Sequence, residues 1–173
     1  MHPPRGFIEI FLQPGDWYFA DELTRIRTIL GSCVSIVMWH PRLHLGGMCH
    51  YMLPTRKHQQ VHELDGRYAD EAIALLIDSI KEAGTSPKEY TVRMFGGGDM
   101  FPHLEKHKIS NVGQNNVIAG RKLLAAHGLK ITDEHVEGAG HRNVSFDVWD
   151  GNVTMKQSMR MELGPPRVRS LSK

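Results

Sequence analysis

Apolar residues change their spacing several times along the chain, and each change predicts an element. Residues 7–12 (FIEIFL) are rich in β-branched and aromatic side chains with partial alternation, the composition of a strand. Pro14 and Gly15 then signal a turn. Residues 25–30 predict a short strand ending at Gly31, and residues 34–39 are the short, β-branched, apolar run of a buried strand. His40-Pro41 closes that run, because proline has no N–H to give to a ladder. Residues 45–53 predict the next strand, and the intervening turn makes the two an antiparallel pair. After a polar, loop-like stretch over residues 57–66, the period becomes helical. Ala69, Ala72, Ile73, Leu76, Ile77 and Ile80 mark one face of a helix that Gly84 and Pro87 terminate.

Residues 90–95 read as a strand broken by Gly96-Gly97-Gly98, and residues 113–127 as a second, less regular helix ended by Gly128. Three further strands follow over residues 129–136, 143–149 and 152–156, with Asp150-Gly151 as a two-residue hairpin signal between the last two. Strands and helices mix without strict alternation, so the class is α+β rather than a doubly wound sheet. The first six residues and the proline-rich, basic stretch from Gly164 (GPPRVRSLSK) read as flexible ends, which leaves a single domain over residues 7–163.

Composition narrows the function. At 173 residues, 40% apolar and 23% charged, the chain reads as one soluble globular domain. Twenty-one basic against nineteen acidic residues leave a net charge of +2, too small and too mixed for a nucleic-acid footprint. No apolar run approaches the roughly 18 residues of a membrane span. The opening MHPPRGF has no secretory character, so a cytoplasmic protein is expected, with Cys33 and Cys49 as reduced thiols.

Cys33 follows a glycine turn (LGSCVSIV) at the mouth of a buried strand, where the turn's backbone N–H groups lie close enough to stabilise a thiolate or an oxyanion. The alternative is a half-buried small hydrophobe. If the two central strands pair as predicted, His50 (GGMCHYMLP) lies at the same end as Cys33 and can take its proton, holding the thiolate as an ion pair. Alternation puts Cys49 on the opposite face from His50, so Cys49 reads as core. Thr28, on the preceding strand, is a candidate to orient the imidazole, or an ordinary strand threonine. The FGGGDMF segment lacks the lysine and hydroxyl of a phosphate loop, so its glycines read as a close backbone approach, such as a wall of the site. Arg142 is open between a salt bridge and a substrate contact. The pairs His58/His62 and His103/His107, and a set of Cys33, His44, Cys49 and His50, are conceivable metal ligands without a recognised motif.

The ordered segments LGSCVSIVMWHP, GGMCHYMLP, GRYADEAI, MFGGGDMF, VGQNN and GHRNVSFDVWDG resemble the CheD family of chemoreceptor glutamine deamidases from about Thr28 to Lys156. The resemblance implies a layered α/β sandwich of packed β-sheets with two main helices outside. It implies hydrolysis of glutamine side chains on methyl-accepting chemotaxis receptors to glutamate and ammonia, without a cofactor or metal. It places the nucleophile at Cys33, the histidine at His50 and the third residue at Thr28. The chemistry then wants oxyanion donors at the turn, around Gly31 and Ser32. The resemblance further implies binding to the phosphatase CheC in some bacteria, with neither nucleic acid nor membrane insertion involved. Two departures stand out: Val112-Gly113-Gln114-Asn115-Asn116 lacks the family's arginine, and the family's later Gly-Arg pair is His141-Arg142. The rival readings are a non-catalytic adaptor of the same fold that binds receptors or CheC, and a metal-binding protein.

Overall fold

Alternation along the strand β4 (Val34–His40) sorts its side chains between two cores. Val34, Ile36 and Met38 enter one apolar cluster, whereas Val37 enters another. A strand buried on both faces belongs to the middle layer of a sandwich, and that is where β4 lies. The computed structural model describes residues 1–57, 63–104 and 111–159.

Before β4 come β1 (Ile8–Leu12), β2 (Trp17–Ala20) and β3 (Thr24–Leu30), and after it β5 (Leu45–Cys49). The helix α1 (Ala69–Glu82), strand β6 (Thr91–Gly96), helix α2 (Val112–Ala126) and strands β7 (Ile131–Val136), β8 (His141–Asp147) and β9 (Asn152–Ser158) complete the order. A four-stranded sheet runs β1-β3-β8-β9 and a five-stranded sheet runs β2-β5-β4-β6-β7. The β1–β3 and β6–β7 pairs are parallel and the others antiparallel. The α+β class and the layered sandwich expected from the sequence are therefore borne out, with both helices on the same side.

The six apolar residues whose spacing predicts α1 are the six that α1 buries. They pack with Cys49, Tyr51, Val117 and Leu124 on the helix side of the five-stranded sheet. Each fully buried Ile or Leu among them stabilises the fold by about 1.5–3 kcal/mol. Between the sheets, Leu12, Ile26, Leu30, Met48, Phe95, Val144 and Phe146 form the second cluster. Gly46 and Gly47 let β5 pass between the layers: a Cβ on Gly46 would lie 2.7 Å from the Phe146 ring, and one on Gly47 2.8 Å from Leu76.

Three details depart from the sequence expectation. The strand β2 has no separate signal, because only four residues follow the turn. The strand predicted over residues 45–53 stops at Cys49, with a last antiparallel bridge at Val34–Tyr51, because the N–H groups of Met52 and Leu53 both turn to the Arg67 carbonyl. The β8–β9 connection is longer than two residues: Val148 leaves the β8–β9 ladder to donate to the Thr24 carbonyl, and the turn closes from Gly151 N–H to Asp147 C=O.

Candidate active site

The chain crosses from one sheet to the other at Gly31-Ser32-Cys33, between the end of β3 and the start of β4. The crossing is held by the glycine segment that follows β6. Gly97 N–H donates to the Cys33 carbonyl at 2.8 Å, and Gly98 N–H to the Gly31 carbonyl at 2.9 Å. Gly96 has φ +109°, and a Cβ there would run into the Cys33 carbonyl. The three glycines are thus a close backbone approach that forms the wall behind Cys33.

The Val34–Tyr51 bridge fixes how His50 stands to Cys33. Val34 and Tyr51 exchange both backbone hydrogen bonds, at 3.1 and 3.0 Å. Their side chains both enter the helix-side cluster, so the preceding residues, Cys33 and His50, are turned to the inter-sheet side. Cys33 packs against the inter-sheet cluster, and His50 reaches across that layer to Thr28. In this register Cys33 and His50 are diagonal neighbours across the strand pair, about 7–8 Å between backbones. The turn before β2 holds the other edge of His50: its N–H donates to Asp16 C=O at 3.0 Å, and its C=O accepts from Gly15 N–H at 2.8 Å.

Hydrogen bonds settle the tautomer of His50. The Thr28 hydroxyl donates its only proton to the Leu12 carbonyl at 2.9 Å. Oγ1 also stands 2.7 Å from His50 Nδ1, so it accepts there, and Nδ1 carries the proton. Nε2 then bears the lone pair. It is buried and has no hydrogen-bond partner among the described residues.

Burial sets the charge state of both groups. It pushes the Cys33 thiol above its ordinary value. It also lowers His50 to about 4, against a smaller upward pull from the Asp16 carboxylate. Both shifts disfavour the charged forms and so run against the ion pair expected from the sequence. Cys49, sealed on the helix side, is pushed up to about 12 by burial.

The remaining candidates separate clearly. Ser32 lines an open cleft of about 340 Å³, bounded by Gly98–Phe101, Leu104 and the start of α2. Met100 covers Gly31 on this side, its sulfur 3.0 Å from where a Cβ would stand. Among the described residues Arg142 makes no salt bridge, and it is not at the surface. It is buried between the sheets, where Nε donates to His135 Nδ1 at 2.9 Å and Nη2 to the Glu137 carbonyl. His44 stacks on Trp39 at the turn end of the β4–β5 pair, away from Cys33. Among the described residues no three His, Cys, Asp or Glu side chains are grouped to hold a metal. His58, His62 and His107 lie outside the described residues. One contributor has no sequence signal of its own: Asn116 on α2, whose carboxamide reaches the carbonyls of Ser32 and Met52.

The fold defines a class: a three-layer α+β sandwich whose chain changes sheets at Cys33, with a histidine–threonine hydrogen bond joining the two sheets nearby. Residues 52–157 match the family described as CheD chemotactic sensory transduction, and the chain belongs to that family. A relative named "Probable chemoreceptor glutamine deamidase CheD" from Pseudomonas savastanoi pv. phaseolicola is 48% identical over 159 residues, covering 90% of this chain and 88% of its own. "Probable chemoreceptor glutamine deamidase CheD 3" from Dechloromonas aromatica is 47% identical over 150 residues, covering 87% and 88%. A more distant relative from Leptospira interrogans, "Probable chemoreceptor glutamine deamidase CheD 1", is 36% identical and covers 89% and 95%. No described helix is long and apolar enough to cross a membrane.

Proposed function

We propose that this protein deamidates glutamine side chains of chemotaxis receptors, with Cys33 as nucleophile, His50 as general base and acid, and Thr28 as the group that orients His50. The observation that carries the reading is the Thr28–His50 hydrogen bond, which leaves a buried lone pair on Nε2 on the Cys33 side of the strand pair. Nε2 removes the thiol proton as Sγ attacks the carboxamide carbon, so the thiolate forms only as it reacts. The N–H groups of Ser32 and Cys33 make no hydrogen bond among the described residues and are free to take the oxyanion, with Gly31 setting the turn. The imidazolium returns its proton to the nitrogen, ammonia leaves, and a thioester remains. His50 then takes a proton from water and the hydroxide adds to the thioester; the adduct breaks its C–S bond, the imidazolium returns its proton to Sγ, and the carboxyl product is released as glutamate with its proton going to solvent.

This chemistry needs no cofactor. The open cleft beside Ser32 is the route by which a receptor glutamine side chain would approach the turn. Receptor signalling domains face the cytoplasm, where both cysteines stay reduced. The phosphatase CheC is a further partner of this reading, tested by co-elution of the two purified proteins. The direct test is intact mass of a receptor cytoplasmic fragment incubated with the protein: a gain of about one dalton per glutamine with the wild type and none with Cys33→Ala. Receptor binding with no mass change in either case would replace the reading with the non-catalytic adaptor.

A further inference from the structure

The β4–β5 ladder stops in an unusual way next to Cys33. Val34–Tyr51 is a hydrogen-bonded pair, so the next such rung of a continuing antiparallel ladder would join Ser32 to Leu53. That rung is missing. Leu53 N–H goes to the Arg67 carbonyl at 3.1 Å, and Leu53 C=O accepts from Ala69 N–H at 2.9 Å. The Ser32 carbonyl is instead satisfied by a side chain from the helix layer: Asn116 Nδ2 donates to it at 3.1 Å and to the Met52 carbonyl at 2.8 Å. Both partners are acceptors only, so the group facing them is the NH2 of the carboxamide.

We infer that Asn116 is a positioning residue of the active site: its carboxamide substitutes for the missing rung and clamps the Cys33 turn to the strand end that carries His50. The inference rests on the catalytic reading of Cys33 and His50. Three features support it. Ser32 directly precedes Cys33 and Met52 lies two residues past His50, so a single amide holds both arms of the pair. Splitting the strands here leaves the Ser32 N–H without a partner among the described residues, whereas a continued ladder would have spent it on Leu53 C=O. The clamp itself is anchored, because Tyr51, the residue next to His50, donates its hydroxyl to the Asn116 backbone carbonyl at 2.7 Å. Glycines make that docking possible. A Cβ on Gly113 would lie 2.5 Å from the Gly97 carbonyl, and one on Gly120 would run into the Tyr51 hydroxyl. The role belongs to Asn116 in the VGQNN segment and does not require the arginine this chain lacks there.

The test compares Asn116→Ser and Asn116→Asp with wild type, His50→Ala and Leu124→Ala. Leu124 is buried further along α2, so its truncation loosens the helix without touching the clamp. Deamidation of a receptor fragment gives kcat and KM, and iodoacetamide labelling of Cys33 across pH gives the His50-assisted rate near neutrality. Circular dichroism and Tm report the fold. In both Asn116 variants kcat should fall by roughly tenfold to a hundredfold, as misplacement of a reacting pair by about an ångström would do, with KM nearly unchanged. Their assisted labelling should drop toward the His50→Ala level. Leu124→Ala should lower Tm and keep both. Folded Asn116 variants with wild-type kcat and labelling would overturn the inference, and so would loss of the fold in both, which would make Asn116 a scaffold residue. If His50→Ala labels like wild type, the catalytic reading itself fails, whatever Asn116 does.

Discussion

Thr28 lies in the four-stranded sheet and His50 just past the end of β5 in the five-stranded one, yet Thr28 Oγ1 stands 2.7 Å from His50 Nδ1 with its own proton committed to Leu12. The hydroxyl is therefore an acceptor toward the ring and selects one tautomer. Thr28→Val keeps the shape and removes that acceptor, leaving a buried N–H unsatisfied at a cost of about 1–3 kcal/mol. We expect Thr28→Val to lower kcat by about tenfold or more. Thr28→Ser should retain most activity, and the Thr28 variants should stay more active than Cys33→Ala or His50→Ala. Equal activity of Thr28→Val and wild type would separate Thr28 from the reaction.

Stability should fall on mild acidification. Folding lowers His50 to about 4, below its ordinary value near 6.5, so the unfolded chain binds the extra proton more tightly. The contribution is complete above about pH 6.5 and is lost as pH falls toward 4, by roughly 3 kcal/mol in total. Urea unfolding at pH 7.5 and pH 5 should show wild type losing roughly 2 kcal/mol more than His50→Gln, which has no such proton to bind. Parallel losses in the two proteins would show that His50 is not held neutral.

The resting thiol should be protonated. Burial raises Cys33 and lowers His50, so thiolate absorbance in the ultraviolet should be absent at neutral pH and appear only in the alkaline range, with Cys33→Ala as the blank. Full thiolate absorbance from mildly acidic pH upward would mean a preformed ion pair instead.

Gly96→Ala should damage the site from behind. The new Cβ would meet the Cys33 carbonyl at a backbone angle that L-residues rarely adopt. Displacing the Cys33 turn should lower kcat, and the strain should lower Tm by on the order of 2–4 °C for each kcal/mol lost. Wild-type kcat at a reduced Tm would show that the glycine wall serves stability alone.

Much of this arrangement was legible before any coordinates. The period of Ala69 to Ile80 specifies α1, and the runs either side of His40-Pro41 specify the β4–β5 pair. That pairing is enough to put Cys33 and His50 at one end and to send Cys49 to the other face, because direction and alternation follow from pairing alone. The close-approach reading of Gly96–Gly98 needs only the absence of phosphate-loop residues. What the chain does not display is what depends on a third layer. Asn116 is one polar residue in a weakly periodic helix, and its two acceptors lie more than sixty residues away in sequence. The direction of the shifts was likewise hidden: an ion pair follows from the residue types, whereas the burial that disfavours charge on both groups follows only from the fold. Arg142 illustrates the same limit, since an arginine bonded to a histidine ring and a carbonyl has no sequence signature.

The switch of sheets at Gly31–Cys33 has a practical corollary. On the proposed reading neither sheet holds the whole centre: the four-stranded sheet contributes Thr28, and the five-stranded sheet contributes the strands that carry Cys33 and His50 at their ends. A chain cut just before Cys33 leaves β1–β3 with Thr28 on one polypeptide and β4–β9 with Cys33 and His50 on the other, each lacking strands of both sheets, so the pieces should be silent separately and regain turnover only on reassociation, which makes the junction a natural place to divide the gene for a two-part reporter.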